Sequence, residues 1–177
     1  TEEHFTCADY RQDLERWGKV APGRLFLWDY VTNFSSYMLP HPTILNFADN
    51  IRTFAQSGAV GLFEQGDATC SAGEFAPLRF YLLSKLAWDP SLDEDALIGE
   101  FLSGYYGPKA APVLKEYLVH VYAAAKAGPP MTLFHDKISQ WIGPEAFLKS
   151  AALMDAAYAA AQTEGPAFAE RVRREKM

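Results

Sequence analysis

The sequence predicts an α/β protein whose short parallel sheet is followed by an all-helical half. Two runs, LFLWDY at 25–30 and AVGLFEQG at 59–66, are nearly continuous in apolar residues, the pattern of strands covered on both faces. A helix-patterned segment lies between them, so strand, helix and strand follow within about 40 residues, which is a βαβ unit with a right-handed crossover. Beyond Pro90 every apolar pattern has helical spacing.

Each element has its own signal. ADYRQDLERWGKV (8–20) sets Tyr10, Leu14 and Trp17 at helical spacing, and APGR breaks it before the first strand. MLPHP (38–42) is a loop, because each proline disfavours helix at the residue before it. FADNIRTFAQSG (47–58) places Phe47, Ile51 and Phe54 on one helical face, with Gly58 as the C-terminal stop. After the second strand, GEFAPLRFYLLSKLAW (73–88) gives a helix with Phe75, Leu78, Leu82 and Leu86 as its buried stripe. DEDALIGEFLSGYYG (93–107) opens with acidic residues that suit a helix N-terminus, carries Leu97, Phe101 and Tyr105 as its stripe, and stops at Gly107-Pro108. Segments 112–128 and 144–165 are further helices separated by PPMTLFHDKISQWIG, and the charged end, 168–177, is helical or frayed. No repeat or low-complexity segment is present.

The chain thus divides into 1–88, reading α-β-α-β-α, and 89–177, a helical extension. Two parallel strands do not make a stable sheet alone, since both faces and both edges need partners. The expectation is therefore the C-terminal part of a larger α/β domain, and a start at Thr1 without a Met suits a processed or truncated product.

Composition is that of an ordinary globular protein, 49% apolar and 21% charged. A net charge of −6 argues against a nucleic-acid partner, whose phosphates favour basic surfaces. No apolar run approaches the roughly 20 residues of a membrane span, and the alanine-rich stretch 151–161 is interrupted by Asp155. Cys7 and Cys70 fit neither a disulfide framework nor a zinc signature and read as two free thiols rather than one bridge. No phosphate loop is present, and His135 with Asp136 is too small a set for a metal, so neither cofactor nor metal is expected.

Chemistry is sought at the strand ends. Asp29 closes the first strand and Glu64 the second, at the C-terminal mouth where parallel sheets keep their active sites. Paired carboxylates some 5–9 Å apart are what glycosidic cleavage needs, one as acid and the other as base or nucleophile. Trp28, Tyr30, Phe34 and Phe63 stand beside them, ring faces suited to the C–H faces of sugars, with Asn33 and Gln65 as partners for hydroxyls and His41 on the adjoining loop. The alternatives are that Asp29 caps a helix or pairs with an Arg, that Glu64 is a solvated strand end, and that Trp28 is core. Glu74, in SAGEF, reads as a helix N-terminal cap, and His120 as a packed or surface histidine.

RLFLWDYVTNFSSYMLPHPTILNFADNIRTF, GAVGLFEQG, GEFAPLRFYLLSKLAWDP and FLSGYYGPKAAPVLKEYL together resemble the DUF4838 family over roughly residues 8–120. That family looks like a glycoside hydrolase on a TIM barrel, similar to α-glucuronidase and hexosaminidase barrels and to endo-β-N-acetylglucosaminidases, with many members secreted or periplasmic. The resemblance implies that the two strands are among the last of eight, that the helices after Pro90 are a C-terminal extension, and that the general acid lies on an upstream strand. By analogy, Asp29 and Glu64 are late-strand carboxylates that position water or act as base.

The function expected is the C-terminal portion of a glycoside hydrolase acting on a glycan with N-acetylhexosamine or uronic acid, inactive without the upstream barrel. Asp29 and Glu64 are its carboxylates, and Trp28, Tyr30, Asn33, His41 and Gln65 its sugar contacts. The rival is a non-catalytic glycan-binding module on a degenerate barrel.

Overall fold

The computed structural model describes residues 10–70 and 73–176. Helix α1 (Tyr10–Val20) leads into strand β1 (Leu25–Tyr30), and α2 (Phe47–Gln56), entered through a 3-10 turn at Ile44–Asn46, crosses to β2 (Ala59–Gln65). Five helices follow: α3 (Ala76–Trp88), α4 (Glu94–Tyr106), α5 (Ala111–Ala127), α6 (Pro144–Gln162) and α7 (Pro166–Glu175). A further 3-10 turn, Ile138–Gln140, lies between α5 and α6. No helix among the described residues is long and apolar enough to cross a membrane.

β1 and β2 are parallel neighbours, the expected βαβ unit, with Trp28 opposite Phe63, Asp29 opposite Glu64 and Tyr30 opposite Gln65. Phe47, Ile51 and Phe54 of α2 are buried as the spacing requires, and Gly58 closes the helix at φ +83°, a conformation that side chains disfavour. Leu27 and Leu62 pack on the buried core, whereas Phe26, Trp28 and Phe63 are exposed. Strand residues alternate sides, so the sheet has one face on the helices and one open face.

One buried core continues from Leu14 through α2 and α3 to Val172 of α7, so the helices after Pro90 share the interior of the α/β part. Polar ties reinforce the join. Arg52 of α2 donates to the carbonyls of Pro90 and Leu92, and Glu94 accepts the backbone N–H of Ala48 at the start of α2. Glu175 of α7 accepts the N–H of Phe75 and the hydroxyl of Tyr106, and burial lifts its carboxyl to about 7.

Three details differ from expectation. Trp17 is exposed, because α1 meets α2 through Gly18, which abuts the backbone of Ser57, and the adjacent Trp17 faces away. On α4 the buried residues are Leu97, Ile98, Leu102 and Tyr106; Phe101 and Tyr105 are half-buried, against Tyr81 and Arg171. Packing against α3, α5 and α7 together moves the buried stripe one residue round the helix. Glu74 is no cap: α3 starts from Phe75 in the left-handed region (φ 46°, ψ 32°), and Glu74 turns inward instead.

Leu82 is fully buried in α3, so Leu82→Ala is expected to cost about 2–5 kcal/mol in denaturant unfolding, while Trp88→Ala, at an exposed site, changes stability by less than about 0.5 kcal/mol.

Candidate functional site

The exits of both strands meet over one buried cation. Arg79 of α3 is 4% exposed; its guanidinium donates to the carbonyls of Val31 (2.7 Å), His41 (2.9 Å) and Glu74 (2.9 Å), to Thr43 Oγ1 (3.3 Å), and to the Glu74 carboxylate. Val31 and His41 belong to the loop after β1 and Glu74 to the loop after β2, so one side chain fixes both. Burial raises the Glu74 carboxyl, and the Arg79 charge opposes that rise. Thr32 Oγ1 donates to Asp67 Oδ1 at 2.6 Å, a second tie between the same loops.

A third segment closes on them from the helical part. Asn33 is fully buried, its amide donating to the His135 carbonyl at 2.7 Å and its oxygen accepting the Ser35 N–H. His41 Nδ1 and His135 Nε2 are 3.3 Å apart with the rings stacked, and Phe34 N–H donates to the Leu133 carbonyl. Asn33 Nδ2 also reaches His135 Nδ1 at 3.4 Å; with that nitrogen accepting, Nε2 carries the proton and donates to His41. Burial, then Arg79, then His135 hold the His41 imidazole well below its ordinary pKa, and burial also lowers that of His135.

Asp29 and Glu64 are in register on the strands, where Cα atoms of neighbours sit about 4.8 Å apart. They share the side of Leu27 and Leu62, the helix-covered side, and both act electrostatically on Tyr10 of α1. Burial and the adjacent Asp29 charge push Glu64 up to about 8, and burial raises Asp29, whose Oδ1 accepts the Tyr30 N–H. Glu64 Oε2 is buried without a partner among the described residues. At neutral pH Glu64 therefore keeps its proton beside Asp29, an arrangement able to give and take a proton.

The sugar contacts expected from sequence separate into two groups. Trp28, Tyr30 and Gln65 lie on the open face with Phe63: Trp28 Nε1 donates to Gln65 Oε1 at 2.8 Å, and the Trp28 ring is 4.8 Å from Phe63. Tyr30 continues to Phe34, and Phe34 to Phe134, at centroid distances of 5.6 and 5.8 Å. Asn33 and His41 are instead buried, holding the loops. The expected grouping of carboxylates and aromatics on one side is thus corrected: strand alternation puts residues 28 and 29 on opposite faces.

Sequence reasoning missed Arg79 and the role of His135. The signals were present, an Arg five residues after Glu74 within an apolar stripe and a histidine next to Phe134, but the loop partners of both, Val31, Asn33 and His41, are distant in sequence. His120 is half-buried, its ring bonded to the Ala146 carbonyl. Cys70 is exposed, while Cys7 lies outside the described residues. Among the described residues no three His, Cys, Asp or Glu gather as metal ligands.

Arg79→Met leaves the Glu74 carboxyl buried and unpaired, and is expected to cost about 3–5 kcal/mol in urea unfolding. For Glu64, a folded pKa of about 8 against 4.5 unfolded means the native state binds more protons between those values. Its contribution to stability is complete below pH 4.5 and lost as pH rises to 8; Glu64→Gln removes that part of the decline, measured as wild type minus variant across the range.

No curated protein and no solved structure matches the chain. A family model described as a domain of unknown function, DUF4838, matches residues 1–119, the part that contains both strands, the Arg79 network and α4. By that match the chain belongs to the DUF4838 family.

Proposed function

We infer that the chain is the C-terminal part of a glycoside hydrolase built on a TIM barrel, acting on a glycan with N-acetylhexosamine or uronic acid. What supports this reading is the cluster of Trp28, Tyr30, Phe63 and Gln65 at the C-terminal ends of adjacent parallel strands. With it stands the in-register Asp29–Glu64 pair on the helix-covered side of the same ends, Glu64 being held protonated near neutrality. Such a pair suits glycosidic cleavage, in which one carboxyl group protonates or deprotonates while the other stays charged. The two-stranded sheet supports the barrel part of the reading. Its open face carries Phe26, Trp28, Tyr30 and Phe63, large apolar residues that further strands of the same sheet would cover. In a barrel that face is the interior. Phe26, early in its strand, then belongs to its packed layers, and Trp28, Tyr30, Phe63 and Gln65 to the mouth.

The second reading, a glycan-binding module without catalysis, is favoured by a different observation: the aromatics occupy the open face and the carboxylates the helix-covered one. Kinetics of the intact protein on aryl glycosides separate the two. If Glu64 is the acid or base, Glu64→Gln lowers kcat by a factor of about 10² or more, with little change in KM. In the binding-module reading no turnover occurs, and Trp28→Ala abolishes retention on immobilised glycan while Glu64→Gln leaves it intact. Unchanged kcat in Glu64→Gln overturns the catalytic assignment.

A further inference from the structure

Helix α7 reaches the functional end through one side chain. Glu175, its last residue, accepts the Phe75 N–H on Oε2 at 2.8 Å and the Tyr106 hydroxyl on Oε1 at 2.6 Å, both from buried residues. Apolar packing of the helix is slight: Val172 is buried and Phe168 half-buried. Gly165 joins it to α6 at φ +141°, a backbone that side chains rarely adopt. On the other side of Phe75, the Glu74 N–H donates to the Tyr37 carbonyl at 2.8 Å, and the Tyr37 ring stands 6.0 Å from that of Phe34. The Glu74–Phe75 turn therefore ties α7 to the loop after β1, where the aromatic strip continues.

The groups round Glu175 leave it without a cation of its own. The five N–H groups of Arg79 are taken up by the Glu74 carboxylate and carbonyl and by Val31, His41 and Thr43, and Glu74 balances the Arg79 charge. Tyr106 of α4 and Tyr117 of α5 face the cluster as phenols that burial keeps neutral. On α7 itself, Arg171 lies over the Tyr105 ring and donates to the Tyr105 carbonyl, Arg173 and Arg174 pair with Glu170, and Lys176 pairs with Asp155 of α6. We propose that α7 is a proton-controlled latch on the strand exits: docked with Glu175 protonated, it holds the Glu74–Phe75 turn and the loop after β1, and loss of that proton frees helix and loops together. Burial first, with the Glu74 charge adding, outweighs the two hydrogen bonds and Arg79, so the carboxyl titrates at about 7 when docked against 4.5 when free. Its contribution to docking is complete below pH 4.5 and is lost as pH rises through 7. The latch does not depend on what the mouth binds.

The test is amide hydrogen exchange of the intact protein from pH 5.5 to 8.5, each rate divided by its intrinsic value, in wild type and in Glu175→Gln. Glutamine keeps an acceptor for the Phe75 N–H but does not ionise, and every other titrating group is common to both proteins. Relative to the variant, wild-type protection of amides 169–172, Glu74 and Phe34 is expected to fall together by about 30-fold across that range, the ratio set by values of 4.5 and about 7. The amides of Ile51 and Leu82, in the core, keep their protection. Should Glu175→Gln not fold, the Leu82 amide serves as the reference within the wild type. Val172→Ala loosens α7 without changing charge, and is expected to lower protection of α7, Glu74 and Phe34 by one common factor at every pH. A ratio that stays flat with pH overturns the proton control. Loss of α7 protection without that of Glu74 and Phe34 overturns the tie to the loops. Equal loss at Ile51 and Leu82 makes the event global unfolding and overturns the latch.

Discussion

The rest of the functional end depends on one buried guanidinium. Arg79 reaches five oxygens on three segments: the exit of β1, the loop before α2, and the turn into α3. Backbone carbonyls in irregular loops have no ladder to join, and buried ones are costly unless a donor finds them. A planar group with five fixed donors meets several at once, which lysine's single ammonium does not. Its charge is balanced locally by Glu74, so the loops are drawn inward without leaving an uncompensated ion.

This anchoring explains the unusual entry to α3. Phe75 adopts a left-handed backbone that costs a non-glycine residue of order 1–3 kcal/mol, and its surroundings hold it there. Its ring is buried against Tyr106 and Tyr117, and its N–H is bonded to Glu175. With that backbone, Glu74 points at Arg79 rather than at solvent. Helices α4, α5 and α7 therefore do more than follow the α/β part: they supply the groups that keep its loops in place.

The same logic links the Phe134 segment to the strand ends. The Asn33–His135–His41 chain and the Phe34–Leu133 bond hold it from one side, and Trp141 seated on Gly128 from the other. Aromatic surface from β1, β2 and the α5–α6 connection thereby forms one strip whose members lie more than 100 residues apart. The helical part contributes directly to the surface that the strands begin.

Local pattern in the sequence determined the elements. Apolar runs of four and five residues, LFLW and AVGLF, each followed by a carboxylate, marked both strands, and apolar spacing of three and four marked the helices. Prolines and glycines marked most of the breaks. It also placed residues 29 and 64 at the same end of adjacent strands, because a βαβ unit runs its strands parallel; their direct pairing depends on the register irregularity after Leu25. What it left open was direction. Alternation relates Trp28 to Asp29 as opposite faces, but which face the helices cover is decided only when Leu27 and Leu62 pack on the buried core. Likewise nothing local distinguishes Glu74 as a buried ion partner from Glu74 as a cap, or Asn33 and His41 as loop ties from ligand contacts. Those roles arise from long-range burial, where a polar group must find its partner wherever the chain has placed one.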